Sequence, residues 1–399
     1  MAERTYKYRI YPNKEQMTKI RMNCGHVRFV YNQLLSERTK AYRATGKWKK
    51  LDLEKIIQEN PFLKYADPSA LNFAKISLME AYQRFFYTER HLPDRYRPEA
   101  LERSHKDPEY RLMRCDLMCY PRFKKKKHAA EGYSTELTEV KIENGRIMIP
   151  ALGAMKIKYH RPVPQDSIIA KCIVRKLPSG QYYLLLQLEI ETPEIRYVDE
   201  PLSVLFDEHG HILRSDGVKM QEMPFDKDLQ KQIRKAHQTL KRRVPGSKRY
   251  EAQYKHFSAL VEKQVNQRQD WLHKTSLSIA KTAELVCVTK PYVQKRLAAL
   301  DTPKKRRKLL EQSRYTLYAY IKYKSEQDGK RFMDFSKQFP VPMFEMCSKC
   351  SVVAKSAVPG RWKCPKCGVQ MSHPQNALNN MQKFSAQNTR EWKEALQKH

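Results

Sequence analysis

Two Cys-x-x-Cys pairs, Cys347-Ser-Lys-Cys350 and Cys364-Pro-Lys-Cys367, stand thirteen residues apart near the carboxyl end of the chain. Each pair forms a tight knuckle, and two facing knuckles offer four thiolates to one tetrahedral zinc ion. Gly368 directly follows the second pair and supplies the small residue such a knuckle favours. The paired spacing favours structural zinc over two disulfides or four unrelated cysteines. The other five, Cys24, Cys115, Cys119, Cys172 and Cys287, are scattered, as expected of a protein in a reducing, cytosolic compartment.

The chain has 399 residues, 41% of them apolar, which is enough for two or three domains with their own cores. Lys and Arg number 77 against 43 acidic residues, a formal charge of +34. That excess exceeds what solubility needs and points to a polyanion, with nucleic acid first among the candidates. No 18-residue apolar run, signal peptide or lipidation motif is evident, so no membrane partner is expected.

Read in order, Tyr6, Tyr8 and Ile10 alternate with Lys7 and Arg9, the period of a strand with one buried face. Pro12 ends that strand, and Asn13 with Gln16 three residues on reads as a capping box. Met17, Ile20, Cys24, Val27, Tyr31, Leu34 and Leu35 then form one apolar stripe of a long helix. Asp67-Pro68 signals a second helix start, with Leu71, Leu78, Met79, Tyr82, Phe85 and Phe86 marking its buried face. From the basic stretch Pro121 to Lys127 onward the pattern alternates instead. Asn144-Gly145, between Val140/Ile142 and Ile147/Ile149, suits a type I′ hairpin turn, and Cys172 to Glu191 reads as another hairpin turning at Pro178-Ser179-Gly180. Strands both before residue 12 and after residue 135 fit a β-barrel module split by a helical insertion.

Four segments in chain order carry a family resemblance: RFVYN (Arg28 to Asn32), YPRFKKKKHAAEGYST (Tyr120 to Thr135), VNQRQDWLHKTS (Val265 to Ser276), and the cysteine pairs followed by Asn376-Ala377 at the head of a helix. Together they resemble the TnpB family of transposon-encoded RNA-guided nucleases, from which type V CRISPR effectors descend. The resemblance implies an α+β multidomain fold: a split wedge β-barrel with a helical recognition insert, then an RNase H-like (RuvC) α/β domain with an inserted zinc ribbon. The implied boundaries are 1–12 for the first wedge strand, 13–110 for the insert, 111–194 for the rest of the wedge, 195–343 for RuvC, 344–372 for the ribbon and 373–399 for the last RuvC helix. It also implies a guide RNA, a double-stranded DNA target beside a short adjacent motif, and zinc as a structural cofactor.

A RuvC nuclease holds two divalent ions between acidic side chains. At the three positions matching the family, this chain has Asp199, then Thr289 after the apolar run Leu285 to Val288, then Pro374. Glu284 lies roughly 16 Å from Thr289 along a strand, and Glu391 roughly 25 Å from Pro374 along a helix. The expectation is therefore of no catalytic residues, no catalytic magnesium and no enzyme: a nuclease-dead TnpB-like repressor that occupies a promoter. The alternatives are an active nuclease with relocated ligands, or a non-guided zinc-ribbon regulatory factor.

The nucleic-acid contacts expected on charge are Arg122, Lys124, Lys125, Lys126, Lys127, Lys241, Arg242, Arg243, Lys248 and Arg249, with the run Lys304 to Lys308 also basic. The resemblance adds His273 and a motif-facing Asn72, whose amide suits adenine. Tyr133, Thr135 and Thr138 are further candidates on the barrel.

Overall fold

The computed structural model describes residues 2–90, 120–126, 130–191, 201–206, 211–220, 223, 226–291, 293–298, 300–335, 345–354 and 361–396. Lys127 and Asp199 lie outside them. The chain divides into two units, residues 1–191 with 244–258, and residues 192–243 with 259–399.

The first unit is built on strand β1 (Ala2–Tyr11). Its alternation works as the sequence requires: Tyr6, Tyr8 and Ile10 are buried. Around β1 lie β2 (Glu131–Thr135), β3 (Ile142–Glu143), β4 (Arg146–Ile149), β5 (Gly153–Lys158), β6 (Ile168–Lys176) and β7 (Tyr182–Ile190), in the order β2-β6-β7-β1-β5-β4-β3. β1 pairs antiparallel with β7 over nine residues, from Ala2 against Ile190 to Ile10 against Tyr182, and with β5 from Arg9 to Tyr11. Among the described residues β2 and β3 are the edge strands of this sheet. Two turns impose the register. Asn144 (φ 49°) and Gly145 (φ 68°) both take the left-handed conformation of a type I′ turn. Gly180 (φ 82°) closes β6 to β7 where a Cβ would stand 2.8 Å from Lys255 Cε.

Helices cover the sheet's apolar face. α1 (Lys14–Thr45) starts on the capping box, Gln16 N donating to Asn13 Oδ1 at 2.8 Å and Asn13 N to Gln16 Oε1 at 3.0 Å. After α2 (Leu53–Glu59) and a 3₁₀ turn (Pro61–Tyr65) comes α3 (Pro68–Arg90). Ile20, Val27 and Leu34 of α1 and Leu71, Leu78 and Phe85 of α3 join Tyr8, Ile147, Leu184 and Leu186 of the sheet in one core. Met79, expected in that core, is 44% exposed. It follows Leu78 by one residue, a 100° turn that carries it off the stripe.

The second unit centres on a four-stranded sheet of β8 (Leu202–Phe206), β9 (Ile212–Arg214), β10 (Leu285–Val288) and β11 (Arg331–Asp334), in the order β11-β10-β8-β9. β8, β10 and β11 are parallel, and β9 is antiparallel to β8. Every residue of β10 is buried, which is why the run reads as continuous apolar sequence rather than alternation. Helices α4 (Lys227–Lys241), α5 (Lys248–Thr282), α6 (Val293–Ala298), α7 (Pro303–Glu311), α8 (Arg314–Gln327) and α9 (His373–Leu396) complete the chain. Leu272 and Ile279 of α5 and Leu317 and Ile321 of α8 pack on Val286 and Val288, while Ala377, Leu378 and Met381 of α9 pack with Leu285 and Cys287. The strands are thus sandwiched between helices. A two-stranded ribbon, β12 (Trp362–Lys363) with β13 (Gln370–Met371), carries the second cysteine pair.

Candidate nucleic-acid interface and metal centre

The cysteine pairs meet. All four Sγ atoms lie within 4.8 Å of one another. Cys347 Sγ is 3.6 Å from Cys367 Sγ, and Cys350 Sγ 3.4 Å from Cys364 Sγ. Tetrahedral zinc with Zn–S bonds of about 2.3 Å requires sulfurs about 3.8 Å apart, so the donor set fits zinc. Each knuckle donates a backbone N–H to its own first sulfur, Cys350 N to Cys347 and Cys367 N to Cys364, both at 3.5 Å. Desolvation would raise the Cys364 thiol, but the N–H groups of Cys367 and Lys366, with the neighbouring Cys350 and Cys367, draw it down to about 6. Gly368 takes φ 69°, the conformation that makes glycine fit there.

The cysteine centre is tied to α9 by residues that the spacing argument did not single out. Ser348 N donates to Asn376 Oδ1 at 2.9 Å, and Asn376 Nδ2 and Asn380 Nδ2 both donate to Met346 O, at 2.6 and 2.8 Å. Both asparagines are almost fully buried. Two amides four residues apart on the apolar face of a helix are the signal that could have found them.

The segments RFVYN and YPRFKKKK also come together. Asn32 Nδ2 donates to Lys124 O at 3.0 Å and Lys124 N donates to Asn32 Oδ1 at 2.8 Å, so the amide holds the basic loop as a strand partner would. Arg122, Lys125 and Lys126 are exposed. The Lys124 ammonium turns back over the Tyr31 ring, 3.9 Å from its centroid, where desolvation and then Lys171 lower its pKa. Asn72 is exposed in the first turns of α3, and Thr138, Lys241, Arg242, Arg243, Lys248 and Arg249 are exposed as well. His273 is exposed on α5 and stacks on Tyr320 of α8 at 4.7 Å. The run Lys304 to Lys308 falls on α7.

Tyr133 and Thr135 do not belong with them. They are 2% and 0% exposed. Thr135 Oγ1 donates to Asp67 Oδ2 at 2.5 Å, under the start of α3. Both point inward because β2 turns alternate residues to the core, and this corrects the expectation that they contact nucleic acid.

Thr289 directly follows β10 and donates its backbone N–H to Val204 O at 3.3 Å. Pro374 lies in the first turn of α9, where Ser372 caps the helix by accepting from Gln375 N at 3.2 Å and a proline costs no hydrogen bond. Among the described residues the cysteine centre is the one group of three or more potential metal ligands.

Residues 1–47 match a family model described as a helix-turn-helix domain, of the OrfB_IS605 type. Here those residues form β1 and the single helix α1. A protein of Streptomyces pristinaespiralis named as a candidate RNA-guided DNA endonuclease is 21% identical over 397 residues, covering 95% of this chain and 89% of that protein. InsQ of Escherichia coli K12, named the same way, is 22% identical over 294 residues, covering 71% of this chain and 65% of InsQ. A Cas12f1 chain, from a cryo-EM structure with single guide RNA and target DNA, superposes with a TM-score of 0.43 and 12% identity over 95% of this chain and 98% of that one, too loosely to bear weight. The expectation that this chain is no enzyme is overturned by the relatives: both are named as endonucleases, which are enzymes. Residue identities at two positions report what stands there and do not establish a degenerate active site. The matched amino-terminal model and the two relatives, together with the order of shared segments, support the resemblance of this chain to the TnpB family.

Proposed function

We propose that the protein binds double-stranded DNA under the direction of a guide RNA. The observation that carries this reading is the basic loop Arg122 to Lys126, clamped by Asn32 onto the helix that the amino-terminal family model matches, in a chain of formal charge +34. In this reading the seven-stranded sheet is the wedge, the four-stranded sheet with its flanking helices is the RNase H-like domain, and the cysteine centre is a zinc ribbon. Asn72 faces a short motif beside the target, and pairing by the guide selects the sequence. Occupying a promoter in this way represses transcription. Strand cleavage is the second reading, favoured by the names of both relatives. Thr289 and Pro374 carry no carboxylate, so cleavage would draw on acidic residues elsewhere, and Asp334, in register with Val288 on the neighbouring strand, is a described carboxylate at that edge.

The test is to sequence RNA that co-purifies with the protein, then present the complex with magnesium to labelled duplexes carrying or lacking the complementary sequence. One enriched RNA and binding only to the complementary duplex supports the reading, and product strands on a denaturing gel add cleavage. An RNA profile with no enriched species, together with equal binding to both duplexes, overturns guide use.

A further inference from the structure

The first unit contains a groove of about 860 Å3 on the outer side of α3 and α1. Its base is aromatic and fixed. The Tyr120 hydroxyl pairs with Thr39 Oγ1 at 2.8 Å and with Tyr82 Oη at 3.2 Å, and its ring meets Phe85 edge-on at 5.2 Å. Tyr31, along another wall, is backed by the Lys124 ammonium. Tyr87, 61% exposed, stands at the rim with Arg84 one turn earlier on the same face of α3, and Arg122 lines the groove from the basic loop. Glu80 lies one further turn back along that face.

A volume of this size suits one nucleotide. Duplex bases hide their faces in the stack and offer only edges in the grooves, whereas an unpaired base can leave its strand and lie against tyrosine. Arg84 and Arg122 supply charge for the flanking phosphates. Glu80 sharpens the assignment. A carboxylate repels phosphate but accepts a hydrogen bond from a sugar hydroxyl, which ribose has at its 2′ position and deoxyribose lacks. We propose that this groove is a subsite for one unpaired ribonucleotide of bound RNA, stacked on Tyr87 and held through its 2′-hydroxyl by Glu80. The proposal rests on the reading of the protein as an RNA binder and places one contact within it, about 12 Å along α3 from Asn72.

The test uses the full-length protein, a short single-stranded RNA carrying 4-thiouridine, its deoxy counterpart, and a duplex RNA. The expected results are cross-links on the peptides carrying Tyr31 or Tyr87, and about tenfold weaker single-stranded RNA binding by Tyr87→Ala. Tyr87→Phe retains affinity, and Glu80→Ala narrows the preference for RNA over DNA. Duplex binding is unchanged in all three. Cross-links only elsewhere, or wild-type affinity in Tyr87→Ala, overturn the subsite; an undiminished preference in Glu80→Ala overturns the ribose assignment. Unchanged thermal melting of the variants shows that they fold. Guide use fails separately: a protein that purifies without an enriched RNA refutes the proposed function, while the single-stranded RNA arm alone decides the subsite.

Discussion

Asp67 does two jobs with one buried carboxylate. Oδ1 caps α3 by accepting from Ser69 N at 3.0 Å and from Ser69 Oγ at 2.7 Å, while Oδ2 takes the Thr135 hydroxyl from β2. Its own backbone N–H donates to Asn23 of α1 at 3.2 Å, so three elements converge on one residue. Asp67→Ala removes a cap worth about 1 kcal/mol and a charge-assisted hydrogen bond worth about 1.5 kcal/mol or more, leaving the Thr135 hydroxyl with Ser69 Oγ at 2.9 Å. A fall in denaturation midpoint for the first unit, with Asp67→Asn losing less, is the expected result. Asn72 rides on the same first turns, so if it contacts the adjacent motif as proposed, motif preference should weaken along with stability. A second carboxylate sets an acid limit for the other unit. Burial would raise Asp216, but hydrogen bonds from the Arg214 guanidinium and Val218 N–H prevail and hold it below the ordinary carboxylate value. A group depressed on folding stabilises above its unfolded pKa and loses that contribution as pH falls through the folded one. Melting temperature should therefore drop below about pH 4, and Asp216→Asn should flatten that part of the profile while lowering stability at neutral pH.

At the scale of elements, α9 and the cysteine knuckles depend on each other. Asn376 and Asn380 satisfy the backbone at Met346 and Ser348, and the Lys383 ammonium donates to Ser348 O. If zinc holds the four thiolates, the purified protein should contain one zinc per chain by mass spectrometry, and Cys364→Ser should lose it. The knuckle would then open, and α9, which packs on Leu285 and Cys287, should show faster amide exchange from Asn376 to Met381. Unchanged exchange in a zinc-free variant would show that packing alone holds the helix. The far end of α5 is fastened differently. Lys330 donates to the carbonyls of Ala280, Lys281 and Ala283 at 3.0–3.3 Å, filling acceptors that a helix end leaves open, and lies 3.6 Å from Glu284. This fixes where α5 stops and β10 begins.

Over the whole molecule, the excess of 77 basic over 43 acidic residues is the largest electrostatic fact. Binding should weaken steeply as salt rises, because each neutralised phosphate releases counterions. Lys125→Ala and Lys126→Ala should each lower affinity for all sequences alike and reduce the slope of log K against log salt by about one. A slope unchanged in both variants would place the contacted phosphates elsewhere. No helix among the described residues is long and apolar enough to cross a membrane.

Much of the fold was legible because local patterns and global burial agree: the alternation of β1, the capping box at Asn13, the Asn144-Gly145 turn and the apolar run of β10 each reappear in place. The cysteine cluster was legible because two knuckles at that spacing leave few other arrangements. Other features depended on contacts distant in sequence, such as the pairing of Asn32 with Lys124 and the inward turn of Tyr133 and Thr135. The face a strand buries follows from what packs on it, and a groove exists only once α1, α3 and the loop at Tyr120 are set side by side. By itself the sequence determined periodicity, caps, turns and ligand spacing, which are properties of neighbours along the chain. Tertiary structure alone decided which polar groups are buried and which open to solvent, because desolvation is a property of everything that surrounds a side chain.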